Sequence, residues 1–240
     1  MDAETGRLRY ASFLMILVAA AFVLAARLLY LYIADPHRFP INTVKIVASY
    51  QHITHKQLES ILADHLRSSF FTLSVHRLYA ELAALDWTNN VQIERVWPDT
   101  LKITLVEKIP VATWNHAMMT EKGEIFNEGG ALTDSSLPHL NGPTNQQKEV
   151  LQVYKKMSKI LSVYGLHAAA LEWRDNHAWE LTLANGLRLR LGKRDLDTRI
   201  TRFCKAYPAV FAERADQLAS VDLRYPRGMA VQWKNKQGNA

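Results

Sequence analysis

His52 and His55 stand three residues apart, a spacing that puts two imidazoles on one helical face when both positions are helical, as a metal site requires. Here they precede or begin a helical pattern and no third ligand is near, so no metal centre is expected. Glu94, Asp99 and Glu107 could furnish the acid and base of glycoside chemistry. Strand-edge carboxylates are ordinarily solvated, and these are expected to be so. Cys204 is the single cysteine, which excludes an internal disulfide and reads as a small apolar core side chain. The GxSxG, HExxH and SxxK motifs and the glycine-rich phosphate loop are missing from the sequence. Without a catalytic constellation, the chain is expected to be an interaction platform, not an enzyme, with no cofactor.

Those residues must be held by folded elements, and composition allows for them. The 240 residues are 48% hydrophobic and 22% charged, which argues against wholesale disorder and suits one large core or two small ones. A net charge of +6 permits attraction to anionic lipid or cell-wall polymer. The basic residues are spread along the chain with no aromatic-interleaved motif, so no nucleic-acid partner is expected. Lys155, Lys156, Lys159, Arg188, Arg190, Arg199, Arg202 and Lys205 read as solvated faces with short-range pairing.

Ser12 to Ala34, SFLMILVAAAFVLAARLLYLYIA, would span about 35 Å as a helix, enough to cross a hydrocarbon core of about 30 Å. A cleaved signal peptide is the rival, but the apolar run resumes after Arg27 and exceeds an ordinary signal core. Arg27 lies toward the outer end, where its side chain can snorkel; pairing with another transmembrane helix is the alternative. Arg7 and Arg9 against Arg38 and Lys45 favour a cytoplasmic head by a narrow margin. Tyr10, Tyr30 and Tyr32 sit where interfacial aromatics belong.

After the span, TVKIVAS alternates as a strand. Thr54 and Gln57 have capping-box spacing ahead of a Leu58, Ile61, Leu62, Leu66 stripe, and Ser74 is an N-cap ahead of Val75, Leu78, Tyr79, Leu82 and Leu85. Asn89-Asn90 breaks the helical pattern, and VQIERVWP and TLKITLVEK read as strands joined at Pro98-Asp99. Further on, VATWN is a strand, a turn forms at Gly123, and residues 127–144 form a surface connection. A helix boxed by Thr144 and Gln147 and closed by Gly165 precedes three strands, ALEW, AWELTLA and LRLRLG, the last two joined by Asn185-Gly186. RDLDTRITRFCKAY is a second helix with Pro208 at its exit.

The β, α, α, β, β order and the phrases FPINTVKIVAS and IERVWPDTLKITLVEKIPVATWN resemble the FtsQ/DivIB family of bacterial cell-division proteins. The Trp-Pro-Asp followed by a Glu-x-x-Pro exit is the specific part, because a generic alternating strand does not require it. The resemblance extends over nearly the whole chain and implies an α+β protein. Its expected parts are a cytoplasmic head (1–11), one transmembrane helix (12–34), a POTRA domain (39–108), a mixed, largely antiparallel β domain with two helices (109–233) and a flexible tail (234–240). It also implies an inner-membrane scaffold at the septum that binds FtsB and FtsL and helps control septal peptidoglycan synthesis. FtsK, FtsW and FtsI are implied as partners through the POTRA and membrane segments, alongside membrane lipid, with a weak homodimer left open. The alternative is an anchored or secreted envelope enzyme acting on peptidoglycan.

The chain nears its end with VDLRYPRGMAVQW, two strands around a type I or II turn at Tyr225-Pro226-Arg227-Gly228. A short last strand tends to an edge, where free backbone groups template another chain. The resemblance places FtsB there. Tyr225, Gly228 and Trp233 are the expected contacts, with Arg224 as the charged one and Val231 as backbone template.

Overall fold

The computed structural model describes residues 2–127 and 136–234, with side chains from residue 13 onward. The expected flexible tail beyond residue 234, the middle of the 127–144 connection and the side chains of the head lie outside the described residues. The chain divides into two compact units, Met1–Lys108 and Ile109–Ala240.

The first unit opens with one helix, α1 (Asp2–Ala34), whose Phe13–Ala34 stretch has a mean hydropathy of 2.4 and the length to cross a bilayer. A βααββ domain follows: β1 (Thr43–Val47), α2 (His55–His65), α3 (Val75–Ala83), β2 (Thr88–Val96) and β3 (Thr100–Glu107). The sheet order is β1-β3-β2, with β1 parallel and β2 antiparallel to β3. Alternation along β3 turns Leu101, Ile103 and Leu105 onto Leu58 and Leu62 of α2 and Leu78 and Leu82 of α3. Each such side chain contributes about 1.5–3 kcal/mol on burial. The capping box at Thr54 forms with both bonds, and the Ser74 hydroxyl accepts from the Arg77 N–H. Tyr79 departs from the expected stripe: it is exposed, because one residue beyond Leu78 the helix has turned about 100° away from the core. Asn89-Asn90 lies inside β2, where the register shifts between Thr88 and Asn90.

The second unit is a mixed sheet of nine described strands. They are β4 (Pro110–Trp114), β5 (Ala117–Thr120), β6 (Ile125–Phe126), β7 (His139–Asn141), β8 (Ala168–Trp173), β9 (Trp179–Leu183), β10 (Arg188–Gly192), β11 (Leu218–Asp222) and β12 (Ala230–Trp233). Their order is β12-β11-β10-β9-β8-β7-β4-β5-β6. Parallel pairs need crossovers, and two of them carry the helices: α4 (Gln147–Ser162) links β7 to β8, and α5 (Leu196–Ala206) links β10 to β11. The helices touch each other and so cover one face, burying Met157 and Leu161 of α4 and Ile200, Phe203 and Cys204 of α5.

One expected helix end comes out differently. The chain bends at Asn145 (φ +70), so α4 begins with Gln146 as its cap and Thr144 lies too far outside to box it. α5 ends at Ala206 with Tyr207 as its cap, so Pro208 stands at its exit as expected, and the chain goes on through a π-turn (Tyr207–Phe211) and 3₁₀ turns (Ala212–Gln217). Proline lacks only the N–H that the first residues of such a turn leave unpaired.

Candidate partner-binding edge

Among the described residues the two sheets have four edges, β1, β2, β6 and β12. β12 stands apart because exposed aromatic residues flank it and an apolar groove lies beside it. It pairs antiparallel with β11 in the register Asp222↔Ala230, Val221↔Val231, Ser220↔Gln232, Leu218↔Trp233 and, among the described residues, has no neighbour on its other side. Alternate N–H and C=O groups along it therefore point away from the sheet.

The connection into β12 is longer than the expected two strands and a tight turn. β11 ends at Asp222, so Arg224 and Tyr225 sit in a loop, not on a strand. Tyr225 to Gly228 does not close as a hydrogen-bonded turn, because the carbonyl that would close it accepts instead from Arg202. The Arg202 guanidinium donates to the carbonyls of Leu223 (3.0 Å), Tyr225 (2.8 Å) and Pro226 (2.6 Å), pinning the loop to α5. Arg202 is thus not the solvated basic residue expected, because its acceptors lie in a loop more than twenty residues further along the chain. Arg199, in the same group, bonds the carbonyl of Leu191.

The loop lines a groove of about 540 Å³ formed by Tyr225, Pro226, Arg227, Gly228, Met229 and Ala230. Tyr225 is 55% exposed at its rim. A Cβ at Gly228 would meet nothing within 4 Å, so crowding within the chain does not demand glycine there. Val231 packs inward on the core, and Leu223 beneath the loop is fully buried. Trp233 is 43% exposed at the far end of the strand, about 10 Å from Ala230 at roughly 3.3 Å per residue. The fold thus gathers Tyr225 and Gly228 at one end of β12 and leaves Trp233 at the other.

Arg224 is engaged within the chain. Its Nε and Nη2 reach Asp222 at 2.9–3.0 and 2.6 Å, and its backbone N–H donates to the same carboxylate. These hydrogen bonds hold the Asp222 carboxyl below the usual carboxylate range and raise the Arg224 guanidinium. Gly192 lies beneath (φ +78), where a Cβ would come within 3.1 Å of Arg224 Cγ and 2.6 Å of Arg199 Nη1.

The residues read for chemistry in the first unit serve structure. Glu107 is buried and accepts from the N–H groups of Gln51, His52 and Ile53 at 3.1–3.4 Å and faces His52 Nδ1 at 3.2 Å. It is thus not the solvated carboxylate expected, because the loop entering α2 folds over the end of β3. His52 stacks on Trp87, and His55 stacks on Tyr50. Glu94 pairs with Lys102, and Asp99 accepts from the Asn42 amide.

Comparison with known proteins places these features. Residues 39–108 match the POTRA domain, FtsQ-type, and residues 112–224 match the model described as cell division protein FtsQ/DivIB, C-terminal. The chain is 36% identical over 222 residues to cell division protein FtsQ of Shewanella oneidensis, covering 92% of this chain and 84% of that one. The same-named protein of Coxiella burnetii is 32% identical over 202 residues, 84% of this chain and 83% of its own. That of Vibrio cholerae is 30% identical over 202 residues, 83% and 77%. With a POTRA domain behind one apolar helix and a mixed sheet after it, the chain belongs to the FtsQ family and is a single-pass membrane protein of bacterial cell division.

Proposed function

We propose that β12 receives a strand from FtsB, in its complex with FtsL, and that this docking helps recruit and regulate septal peptidoglycan synthesis by FtsW and FtsI. On this reading the head is cytoplasmic, both folded units are periplasmic, and the chain works at the septum as a scaffold without catalysis of its own. FtsK and other division proteins meet it through the POTRA domain and the membrane segment. The observation that carries the reading is the unpaired outer edge of β12 beside an apolar groove, with exposed aromatics at both ends.

Strand addition draws affinity from main-chain hydrogen bonds and specificity from alternate side chains. Tyr225 and Trp233 are the anchors, since half-exposed aromatics supply large contact area at low entropic cost. Gly228 lets the incoming backbone approach, and Val231 contributes its outer backbone groups while its side chain stays in the core. Arg224, already oriented by Asp222, offers its remaining N–H donors to an acidic group of the partner. A second copy of this chain could pair along the same edge, which would make the weak homodimer and partner binding mutually exclusive.

The test is titration of the full chain in nanodiscs with the periplasmic FtsB–FtsL segment. Tyr225→Ala and Trp233→Ala should each weaken binding by tenfold or more, about 1.4 kcal/mol, with the circular dichroism spectrum unchanged. Full affinity in both variants would overturn the assignment. Turnover of purified cell wall, lost on replacing one carboxylate, would favour the enzyme reading instead.

A further inference from the structure

The end of the POTRA domain at which α1 arrives carries aromatic residues that its own core does not cover. Phe39 joins Tyr32 of α1 (ring centroids 5.8 Å) to Phe71 (5.0 Å), and the Ser69 hydroxyl donates to the Ile33 carbonyl at 2.6 Å. The connection between α2 and α3 is therefore fixed against the last turn of the membrane-spanning stretch. Phe71 remains 43% exposed there.

The turn between β2 and β3 belongs to the same end. Asn42, just before β1, donates its N–H to the Asp99 carbonyl at 3.1 Å and its amide to the Asp99 carboxylate at 2.9 Å. Arg95 bonds the Leu73 carbonyl, tying the end of β2 to the segment that carries Phe71. Trp97, two residues on from Arg95, is 77% exposed. A phenylalanine and a tryptophan, both uncovered, thus stand beside the outer end of a helix that crosses a bilayer. Tryptophan and tyrosine concentrate at that depth, where a ring can be half in hydrocarbon and half in headgroups. Arg67 is exposed in the α2–α3 connection, and Arg38, paired with Asp35 at 3.2 Å, lies over the Tyr32 ring at 4.5 Å, so Arg67 is the cation most open to a lipid phosphate.

We propose that this end of the domain is seated on the bilayer that α1 crosses, with Phe71 and Trp97 in the headgroup layer. The occupant is the phospholipid surface, because Phe71 is continuous, ring to ring, with a residue already inside the spanning stretch. Seating at two points besides α1 fixes the tilt of the domain, which one helix alone would leave free to swing.

The experiment uses the full chain in nanodiscs of phosphatidylethanolamine and phosphatidylglycerol. Single cysteines at Phe71→Cys, Trp97→Cys and Val106→Cys carry an environment-sensitive fluorophore; Cys204 is fully buried, and the unsubstituted chain is the labelling blank. Val106 is exposed toward the opposite end of β3, about 20 Å from Thr100 along the strand. Leu24→Cys, within the span, reports that α1 is inserted. Lipids spin-labelled near the headgroup should quench positions 71 and 97 several-fold more than 106. Equal quenching at all three, or none at 97 while the Leu24→Cys fluorophore emits as from hydrocarbon, overturns the proposal. Shielding of 71 and 97 that requires other division proteins also overturns it, in favour of a protein partner. Trp97 packs least and decides the matter should Phe71→Cys fail to fold.

Discussion

At the scale of single residues, the site depends on side chains that hold the loop as much as on those offered to a partner. Arg202 satisfies three carbonyls that would otherwise face one another at the mouth of the groove. Arg202→Ala should therefore loosen residues 223–228 and, on the proposed function, weaken FtsB binding by tenfold or more; hydrogen exchange of the loop amides checks the cause and titration the effect. Arg202→Lys, with one point charge and no fork, should recover only part of the loss. Asp222 gives a pH signature. Its carboxyl is held below the ordinary value of 3.8 by Arg224, so its contribution is present above that value and lost as pH falls through the depressed folded one. Urea midpoints taken from pH 6 down to pH 2.5 should drop less for Asp222→Asn than for the unaltered chain. Residue type and position make Tyr225 and Trp233 candidate contacts, and only the structure shows that both are half-exposed. The clamp was not legible, since Arg202 is separated from its acceptors by more than twenty residues of chain.

At the scale of elements, one buried carboxylate organises the entry to α2. Glu107 takes three backbone N–H groups from residues 51–53, donors that α2 and its cap cannot satisfy. Removing it leaves the donor of buried Ile53, and that of half-buried His52, unpaired, so Glu107→Ala should cost about 1–3 kcal/mol in chemical denaturation of the first unit. Glu107→Gln, which keeps one acceptor oxygen, should cost less. Strands and helices themselves were legible because their periods are local: alternation along β3, and stripes of Leu58 with Leu62 and of Leu78 with Leu82. Ends were less so. Thr144 read as a cap, yet the bend at Asn145 starts α4 beyond it. Pro208 does stand at the exit of α5, and packing of Phe203, Tyr207 and Phe211 against one another carries the chain on through a π-turn past the proline.

At the scale of the whole molecule, two cores share no residue. Leu58→Ala should destabilise the first by about 3–5 kcal/mol and Leu189→Ala the second by a similar amount, each lowering a different thermal transition of the detergent-solubilised chain. A single transition moved equally by both would contradict two separately cored units. The sequence by itself determined the apolar span, the βααββ order, the two later helices and the family, because each rests on composition, on periods of 2 or 3.6 residues, or on a contiguous phrase such as WPDTLKITLVEKIP. The order of strands across the sheet, and what stands beside its edges, is set by the tertiary structure alone. A short last strand points to an edge, but nothing in the chain order announces that β11 runs parallel to β10, or that Arg202 reaches over to pin the loop between β11 and β12. Those facts depend on pairings between distant residues, which the crossover through α5 brings together and which no local period encodes.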